Sequence, residues 1–222
     1  ASKKPMLRRR ALLPLPVAGV GGLMLSYPRA SVAVRVLKTR TGQTLTHTQS
    51  NGTEWRLDTD TILLLNEKTQ EGRLLRGQIC LSCPEATEIK LMVGSLQASL
   101  HTTGRLDASL TDTTCELLAL NGQLIVQNTV SSEMPKKIMQ GERIALAQNN
   151  VFITDRPDMH NRVSWTQGYL MFHNNSVLDI AKKINRYSEK KIKILSKEIE
   201  KKKMNGVYYI SQNREFLDIL ST

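Results

Sequence analysis

The sequence predicts a mainly β protein with a C-terminal α+β subdomain, and three observations carry that expectation. From Val32 to Ala147, short runs of apolar and β-favouring residues are separated by Gly, Asn and Asp, and no helical period interrupts them. The segment Asp155 to Arg162 (DRPDMHNR) is polar, contains Pro157 and reads as a linker. Beyond it the grammar changes, with apolar residues recurring at three- and four-residue spacing. The expected division is a basic stub at 1–10, a transmembrane helix at 11–27, an all-β domain at 28–154, a linker at 155–164 and a β-α-β type subdomain at 165–222 that is incomplete at its C-terminus.

The first element is set by Arg8, Arg9 and Arg10, which abut seventeen residues without a charge, Ala11 to Tyr27. As a helix at about 1.5 Å per residue this stretch covers roughly 26 Å, the lower edge of what spans a hydrocarbon core of about 30 Å. Pro14, Pro16, Gly19, Gly21 and Gly22 weaken a helix in water, but lipid leaves the backbone no partner except itself. Lys3, Lys4 and the three arginines orient the span by staying on the cytoplasmic side, so the residues after Tyr27 are expected on the far side. A cleavable export signal with its cut near Ala30 or Ala33 is a competing reading, and it also exports the body. A buried core helix is the third.

The predicted strands follow in order: Val32 to Leu37, Gln43 to Thr48, Glu54 to Leu57, Thr61 to Leu65, Arg73 to Ser82, Ile89 to Val93, Leu96 to His101, Leu106 to Leu110, Cys115 to Leu120, Gln123 to Val126 and Arg143 to Ala147. Asn51-Gly52 and Asn121-Gly122 are the strongest turn signals, because an Asn-Gly pair accepts the positive φ angles of a tight hairpin. A sandwich, a barrel and a stacked sheet all satisfy this pattern. Cys80 and Cys83 form a C-x-x-C, but on a strand residues i and i+3 point to opposite faces about 10 Å apart, beyond disulfide reach. They are expected as small buried side chains, with a pairing between one of them and Cys115 left open.

In the tail, a strand is predicted at Tyr169 to Phe172, and Asn174-Asn175-Ser176 offers a cap to a helix. That helix carries Val177, Ile180, Ala181, Ile184 and Tyr187 on one face and Lys182, Lys183 and Arg186 on the other. A strand at Lys191 to Leu195, a lysine-rich connector, a strand at Gly206 to Ile210 and a helix at Asn213 to Leu220 complete a β-α-β, β-α order. Trp165, Leu170, Phe172, Ile184 and Tyr187 read as core, and Arg186 as a tie from helix to sheet.

The formal charge of +11 is not spread over the chain. Five positive charges lie in residues 1–10 and a net of seven between Lys182 and Lys203, so the remainder is near neutral and a nucleic-acid partner is not expected. No G-x-S-x-G, phosphate loop or H-E-x-x-H is present, and His47, His101, His160 and His173 are scattered. Asp58 and Asp60 could suggest an acid/base pair, but alternate carboxylates on one strand face read as solvated. The chain is therefore expected not to be an enzyme and to need neither cofactor nor metal.

Several short motifs recur in a recognisable order. Thr41-Gly42-Gln43 opens the β region, and Asn51-Gly52-Thr53, Arg76-Gly77-Gln78, Leu120-Asn121-Gly122 and Gln140-Gly141-Glu142 follow. The tail has Trp165, Gly168, Leu170 and Phe172 in the spacing W-x-x-G-x-L-x-F, then Asn185-Arg186-Tyr187 and Gly206-Val207-Tyr208. In this order, behind an arginine-led anchor, the chain resembles the FecR family of transmembrane regulators of Gram-negative cell-surface signalling. The resemblance implies an anti-sigma regulator in the inner membrane, single pass, with its N-terminus cytoplasmic and its bulk periplasmic. It also implies two partners: an extracytoplasmic-function sigma factor and the signalling domain of a TonB-dependent outer-membrane receptor, in iron-uptake type signalling. The family's sigma-binding helical region has no counterpart in residues 1–10, so the chain reads as a fragment or truncated member. The subdomain at 165–222 is expected to be similar to the secretin and TonB short N-terminal fold.

Some members of that family cleave themselves at a Gly-Thr bond. The comparable stretch here, Arg105 to Asp112, has none, and Gly52-Thr53 lies in an early turn, so self-cleavage is not expected. For partner binding the candidates are Tyr169, Met171, Arg186, Tyr208 and Tyr209, on sheet edges able to accept a partner strand, with the lysines of 190 to 203 speeding encounter with an acidic face. The alternative reading is a membrane-anchored or exported β-rich module that binds or scaffolds the envelope.

Overall fold

The computed structural model describes residues 33–147 and 152–212. The basic stub with Arg8, Arg9 and Arg10, the span at 11–27 and the helix expected at 213–220 lie outside the described residues. Among the described residues no helix is long and apolar enough to cross a membrane.

Among the described residues, thirteen strands precede the first helix. They are β1 (Arg35–Lys38), β2 (Leu45–Thr48), β3 (Glu54–Leu57), β4 (Ile62–Asn66), β5 (Glu71–Cys83), β6 (Ile89–Val93), β7 (Leu96–Leu100), β8 (Gly104–Leu110), β9 (Thr114–Asn121), β10 (Gln123–Asn128), β11 (Lys136–Met139), β12 (Arg143–Ala147) and β13 (Phe152–Asp155). Every strand read from the sequence in this region is present. The two additions, β11 and β13, are four residues long, and β11 buries only Ile138, too little alternation to register as a strand signal.

The organising element is β5. Its first half pairs antiparallel with β4 and parallel with β6, and its second half pairs antiparallel with β3 and β8. Gly77 marks the handover with φ 93, and a Cβ there would stand 2.7 Å from the Cα of Thr61. The sheet therefore curls over on itself along β5. One layer runs β1-β4-β5-β6-β7-β10-β11, the other β2-β3-β5-β8-β9-β12-β13. Leu63, Leu65, Leu91, Val93 and Leu124 from the first layer share a core with Trp55, Leu57, Ile79, Leu81, Leu106 and Leu117 from the second, all fully buried. Gly72 in the first layer leaves room for the Trp55 ring, whose Cη2 would lie 2.8 Å from an added Cβ. Of the architectures the pattern allowed, this is the sandwich-like one.

The two Asn-Gly turns differ. Asn51-Gly52 closes the β2–β3 hairpin, with Gly52 at φ 78 and the Asn51 side chain accepting from the Thr53 backbone N–H at 3.0 Å. Asn121-Gly122 is not a hairpin turn: β9 pairs with β8 and β12, whereas β10 pairs with β7 and β11, so this turn carries the chain from one layer to the other. The positive φ of 77 at Gly122 is as expected, but a corner makes the same backbone demand as a hairpin.

The second layer is covered on its outer face as well. There lie α1 (Met159–Val163), a 3-10 turn (Ser164–Gln167), β14 (Tyr169–Ser176), α2 (Val177–Asn185), α3 (Lys197–Lys201) and β15 (Lys203–Tyr209). Trp165, Leu170, Phe172, Ile184, Tyr187 and Tyr208 form a second core with Cys80, Leu118 and Leu120 of that face. Cys83 and Cys115 belong to the inner core, so Cys80 and Cys83 do point to opposite faces, and all three thiols are free. The five tail residues read as core are core.

Two details of the tail differ from expectation. The polar run read as linker contains α1, started by the Asp158 carboxylate, which accepts from the backbone N–H groups of His160 and Asn161 at 2.9 and 3.3 Å. Lys191 to Leu195 is not a strand. The Asn185 side chain satisfies both backbone groups of Ile192, donating to its carbonyl at 2.9 Å and accepting from its N–H at 2.7 Å, and Leu195 is 96% exposed with no face to bury. The expected β-α-β is thus an antiparallel pair, β14 with β15, joined through α2 and α3.

Candidate functional site

The outer face of the second layer carries polar groups that a sheet packed on both sides would not be expected to bury. Asp58, just after β3, and Asp107, in β8, are fully buried, and Gln78 in β5 lies between them. A buried carboxylate is costly unless it is paired and hydrogen-bonded. Both are, and in each case the arginine comes from the tail.

Arg162 in α1 donates from Nε to Asp107 Oδ2 at 2.7 Å and from Nη2 to Ser109 Oγ at 2.8 Å, and its Nη2 lies 2.6 Å from Glu116 Oε2. Arg143 joins the same group by pairing with Glu116 at 3.3 Å and with Asp155 through two bonds of 2.8 and 2.6 Å. Arg186, which caps α2, places Nη2 3.2 Å from Asp58 Oδ2 and donates from Nη1 to Gln78 Oε1 at 3.3 Å. Gln78 in turn donates to Asp107 Oδ1 at 2.7 Å, which joins the two carboxylate sites into one network. The Tyr187 hydroxyl donates to Asp58, and Arg56 reaches the carbonyl of Thr166 at 3.2 Å.

The electrostatics follow from this packing. Burial pushes the Asp58 carboxyl above its usual range, opposed by the Arg186 charge and by the Tyr187 hydrogen bond. Burial and the neighbouring Asp58 likewise raise the Tyr187 hydroxyl. Burial alone would lower the Arg162 guanidinium, but the Asp107 and Glu116 carboxylates outweigh it and hold the group firmly charged. Lys183, whose Nζ donates to the Asn161 carbonyl at 3.0 Å, is brought down to about 8 by burial and by the cations of Arg162 and Arg186. Cys80 is pushed up to about 11 by burial and by Asp107, which leaves its thiol protonated and unreactive.

Three motifs far apart in sequence meet at this junction. The Gly42 backbone N–H donates to Thr59 Oγ1 at 2.8 Å, and that hydroxyl donates to the Arg186 carbonyl at 3.1 Å. A Cβ at Gly42, which has φ +75, would lie 2.9 Å from the carbonyl oxygen of Tyr187. Thr41-Gly42-Gln43, Arg76-Gly77-Gln78 and Asn185-Arg186-Tyr187 therefore converge on one place. Arg186 is the tie from helix to sheet that the sequence suggested.

Sequence reasoning passed over the rest of the network. Asp58 and Asp60 do not share a solvated face: Asp58 is fully buried, while Asp60 sits in a turn at φ 50 and accepts from Thr41 Oγ1 at 2.9 Å. Asp107, Glu116 and Arg162 were not singled out either. The available signal was a carboxylate between apolar strand residues, as in Leu106-Asp107-Ala108.

The residues proposed for partner binding divide into two groups. Tyr169 and Met171 on β14 stand opposite Tyr209 and Val207 on β15, and the Tyr169 and Tyr209 rings meet edge to face with centroids 6.3 Å apart. Val207 and Tyr209 are each about half exposed, so these four form an apolar patch on the outward face of the hairpin. Tyr208 points the other way, into the second core, as strand alternation requires of a neighbour of Tyr209. Arg186 lies in the junction, away from the hairpin's outward face. Among the described residues no group of three or more His, Cys, Asp or Glu side chains could hold a metal ion.

No protein-family model and no curated protein sequence matches the chain. Two crystal structures from Parabacteroides distasonis ATCC 8503, each of a protein assigned as an anti-sigma factor, are similar to it in fold. One has a TM-score of 0.65 at 14% identity, covering 85% of this chain and 91% of the other. The second has a TM-score of 0.66 at 12% identity, covering 84% and 90%. The β sandwich and the unit docked on its outer face are thus an architecture that this chain has in common with them.

Proposed function

We propose that this chain is the signal-receiving part of an anti-sigma regulator of the FecR type, a single-pass protein of the inner membrane whose described residues work in the periplasm. The observation that carries the reading is the meeting of Thr41-Gly42-Gln43, Arg76-Gly77-Gln78 and Asn185-Arg186-Tyr187 at one buried junction, within a fold similar to proteins assigned as anti-sigma factors. Residues that make a family pattern recognisable also fasten the tail to the sandwich. In this account the chain acts by recognition and not by catalysis. The sigma factor is engaged from the cytoplasmic side, and the signalling domain of a TonB-dependent receptor docks on the outward face of β14 and β15 through Tyr169, Met171 and Tyr209. Lysines between 190 and 203 steer that encounter toward an acidic surface.

The test is a transcriptional reporter of the sigma factor in cells carrying the chain within its full-length protein. Replacing Tyr169 and Tyr209 with Ala should abolish the reporter's response to the inducing ligand while leaving protein abundance unchanged. An unchanged response would refute docking at this face, and no dependence of the reporter on the protein at all would refute the regulator reading. Point substitutions are preferable to deleting the tail after Arg162, because deletion would expose Cys80, Leu118 and Leu120 and strand Asp58.

A further inference from the structure

Leu195 is 96% exposed, more than any other large apolar side chain among the described residues. It lies in a segment, Lys190 to Lys203, that holds seven lysines against two glutamates. Exposure alternates along the start of that segment. Ile192 and Ile194 are half-buried, Ile192 against the second core, whereas Lys191, Lys193 and Leu195 are exposed. Lys197 and Lys201 follow, both exposed and four residues apart on one face of α3. Among the described residues, none of Lys193, Lys197 and Lys201 pairs with a carboxylate.

The segment is fastened at both ends. Besides the two bonds from Asn185 to Ile192, the Lys191 ammonium donates to the carbonyls of Asn185 and Ser188, each at 2.6 Å. At the far end Ser196 caps α3, accepting from the Ile199 N–H at 3.4 Å, and the Val177 N–H donates to the Lys202 carbonyl at 2.9 Å. Leu195 is therefore held out in water by a framed connector. An acidic protein surface would be matched by lysines alone, since steering by charge acts at a distance and makes no use of a leucine. A leucine among unpaired lysines matches a surface that is anionic outside and apolar beneath, and a bilayer containing anionic phospholipid is such a surface.

We propose that the connector Lys190 to Lys203 is a lipid contact, in which Lys193, Lys197 and Lys201 lie among the phosphates of anionic phospholipids and Leu195 enters the acyl boundary. It leaves the aromatic pair of the hairpin free. Ser176 pairs with Lys203 and Tyr169 with Tyr209, so the length of β15, roughly 20 Å, separates the lysine end from those two rings. The contact depends on neither a sigma factor nor a receptor.

The full chain carrying Leu195→Trp, which keeps a large apolar side chain at that place, tests this in vesicles of phosphatidylcholine alone or mixed with phosphatidylglycerol. Its two native tryptophans, Trp55 and Trp165, are buried in the two cores and give a constant background. Emission from position 195 should be quenched by brominated acyl chains in the anionic vesicles, and at least about fivefold less in phosphatidylcholine. Lys193→Gln, Lys197→Gln and Lys201→Gln together should bring quenching down to the phosphatidylcholine level at an unchanged melting temperature, and raised salt should weaken it too. No quenching in anionic vesicles, or equal quenching in the two lipids, would overturn the proposal. Emission that responds only to an added acidic protein would overturn it as well, because it would assign the connector to that partner. The receptor face is read separately, through Tyr169 and Tyr209.

Discussion

The hydroxyl of Tyr187 lies 2.7 Å from Oδ1 and 2.8 Å from Oδ2 of Asp58, two buried side chains 129 residues apart in sequence. One belongs to the turn after α2 and the other to the edge of the sandwich core, so their contact measures whether the tail is seated. Tyr187→Phe keeps the ring and removes one partner of the Asp58 carboxylate, leaving Arg186 and the Thr59 backbone N–H. A hydrogen bond to a charged group contributes about 1.5–3 kcal/mol, and chemical denaturation should show a loss of that size. An unchanged midpoint would mean that water replaces the hydroxyl at no cost.

Arg162 is the other fastening, with Asp107 fully buried beneath it. Arg162→Met leaves that carboxylate without its cation and should cost about 3–5 kcal/mol. Adding Asp107→Leu should recover part of the loss, because the pair fails together more gently than either half alone. A double-mutant cycle in denaturant measures the coupling, and simple additivity would contradict a direct pairing.

Lys183 gives a pH signature. Its folded-state pKa is brought down to about 8 from an ordinary 10.5, so between those values the unfolded chain binds the extra proton. Stability from this group is therefore complete above the ordinary value and is lost as pH falls toward 8. Measured by thermal melting from pH 8 to 9.5, the unaltered chain should gain steadily on Lys183→Met. A constant difference between the two would place the Lys183 amine in water.

Among the described residues, Gly77 and Gly42 are the two glycines of positive φ at which an added Cβ would come closer than 3.0 Å to another atom. A Cβ at Gly77 would press on Thr61, and one at Gly42 on the Tyr187 carbonyl. Substitution by Ala at either should destabilise by about 1–3 kcal/mol. The two should differ in kind: Gly77→Ala should loosen the handover in β5, and Gly42→Ala the seating of the tail, which exchange rates in α2 would report.

The sandwich's strands were legible because half-buried strands alternate, and β3 and β6 match the expected segments residue for residue. Their order in space was not. Nothing local distinguishes the Asn121-Gly122 corner from a hairpin, and nothing in the sequence of β5 announces that its two halves serve different layers. The buried junction was half legible. Arg186 and Tyr187 stood out by motif and helical face, whereas Asp58, Asp107 and Arg162 looked like ordinary surface charges, because their burial depends on a tail packing against the sheet's outer side. At Lys191 to Leu195 the β-like alternation was real but had no neighbouring strand to complete it, and Asn185 took the Ile192 backbone instead.

The central claim is that the outward face of β14 and β15 receives a receptor's signalling domain. Isothermal titration of the purified chain with the signalling domain of the TonB-dependent receptor from the same genome tests it most directly. The account predicts saturable binding, weakened at least about tenfold by Tyr169→Ala with Tyr209→Ala at an unchanged melting temperature, the loss expected when aromatic anchors are truncated. Binding that is indifferent to those two substitutions, or no binding to any such domain, would contradict it.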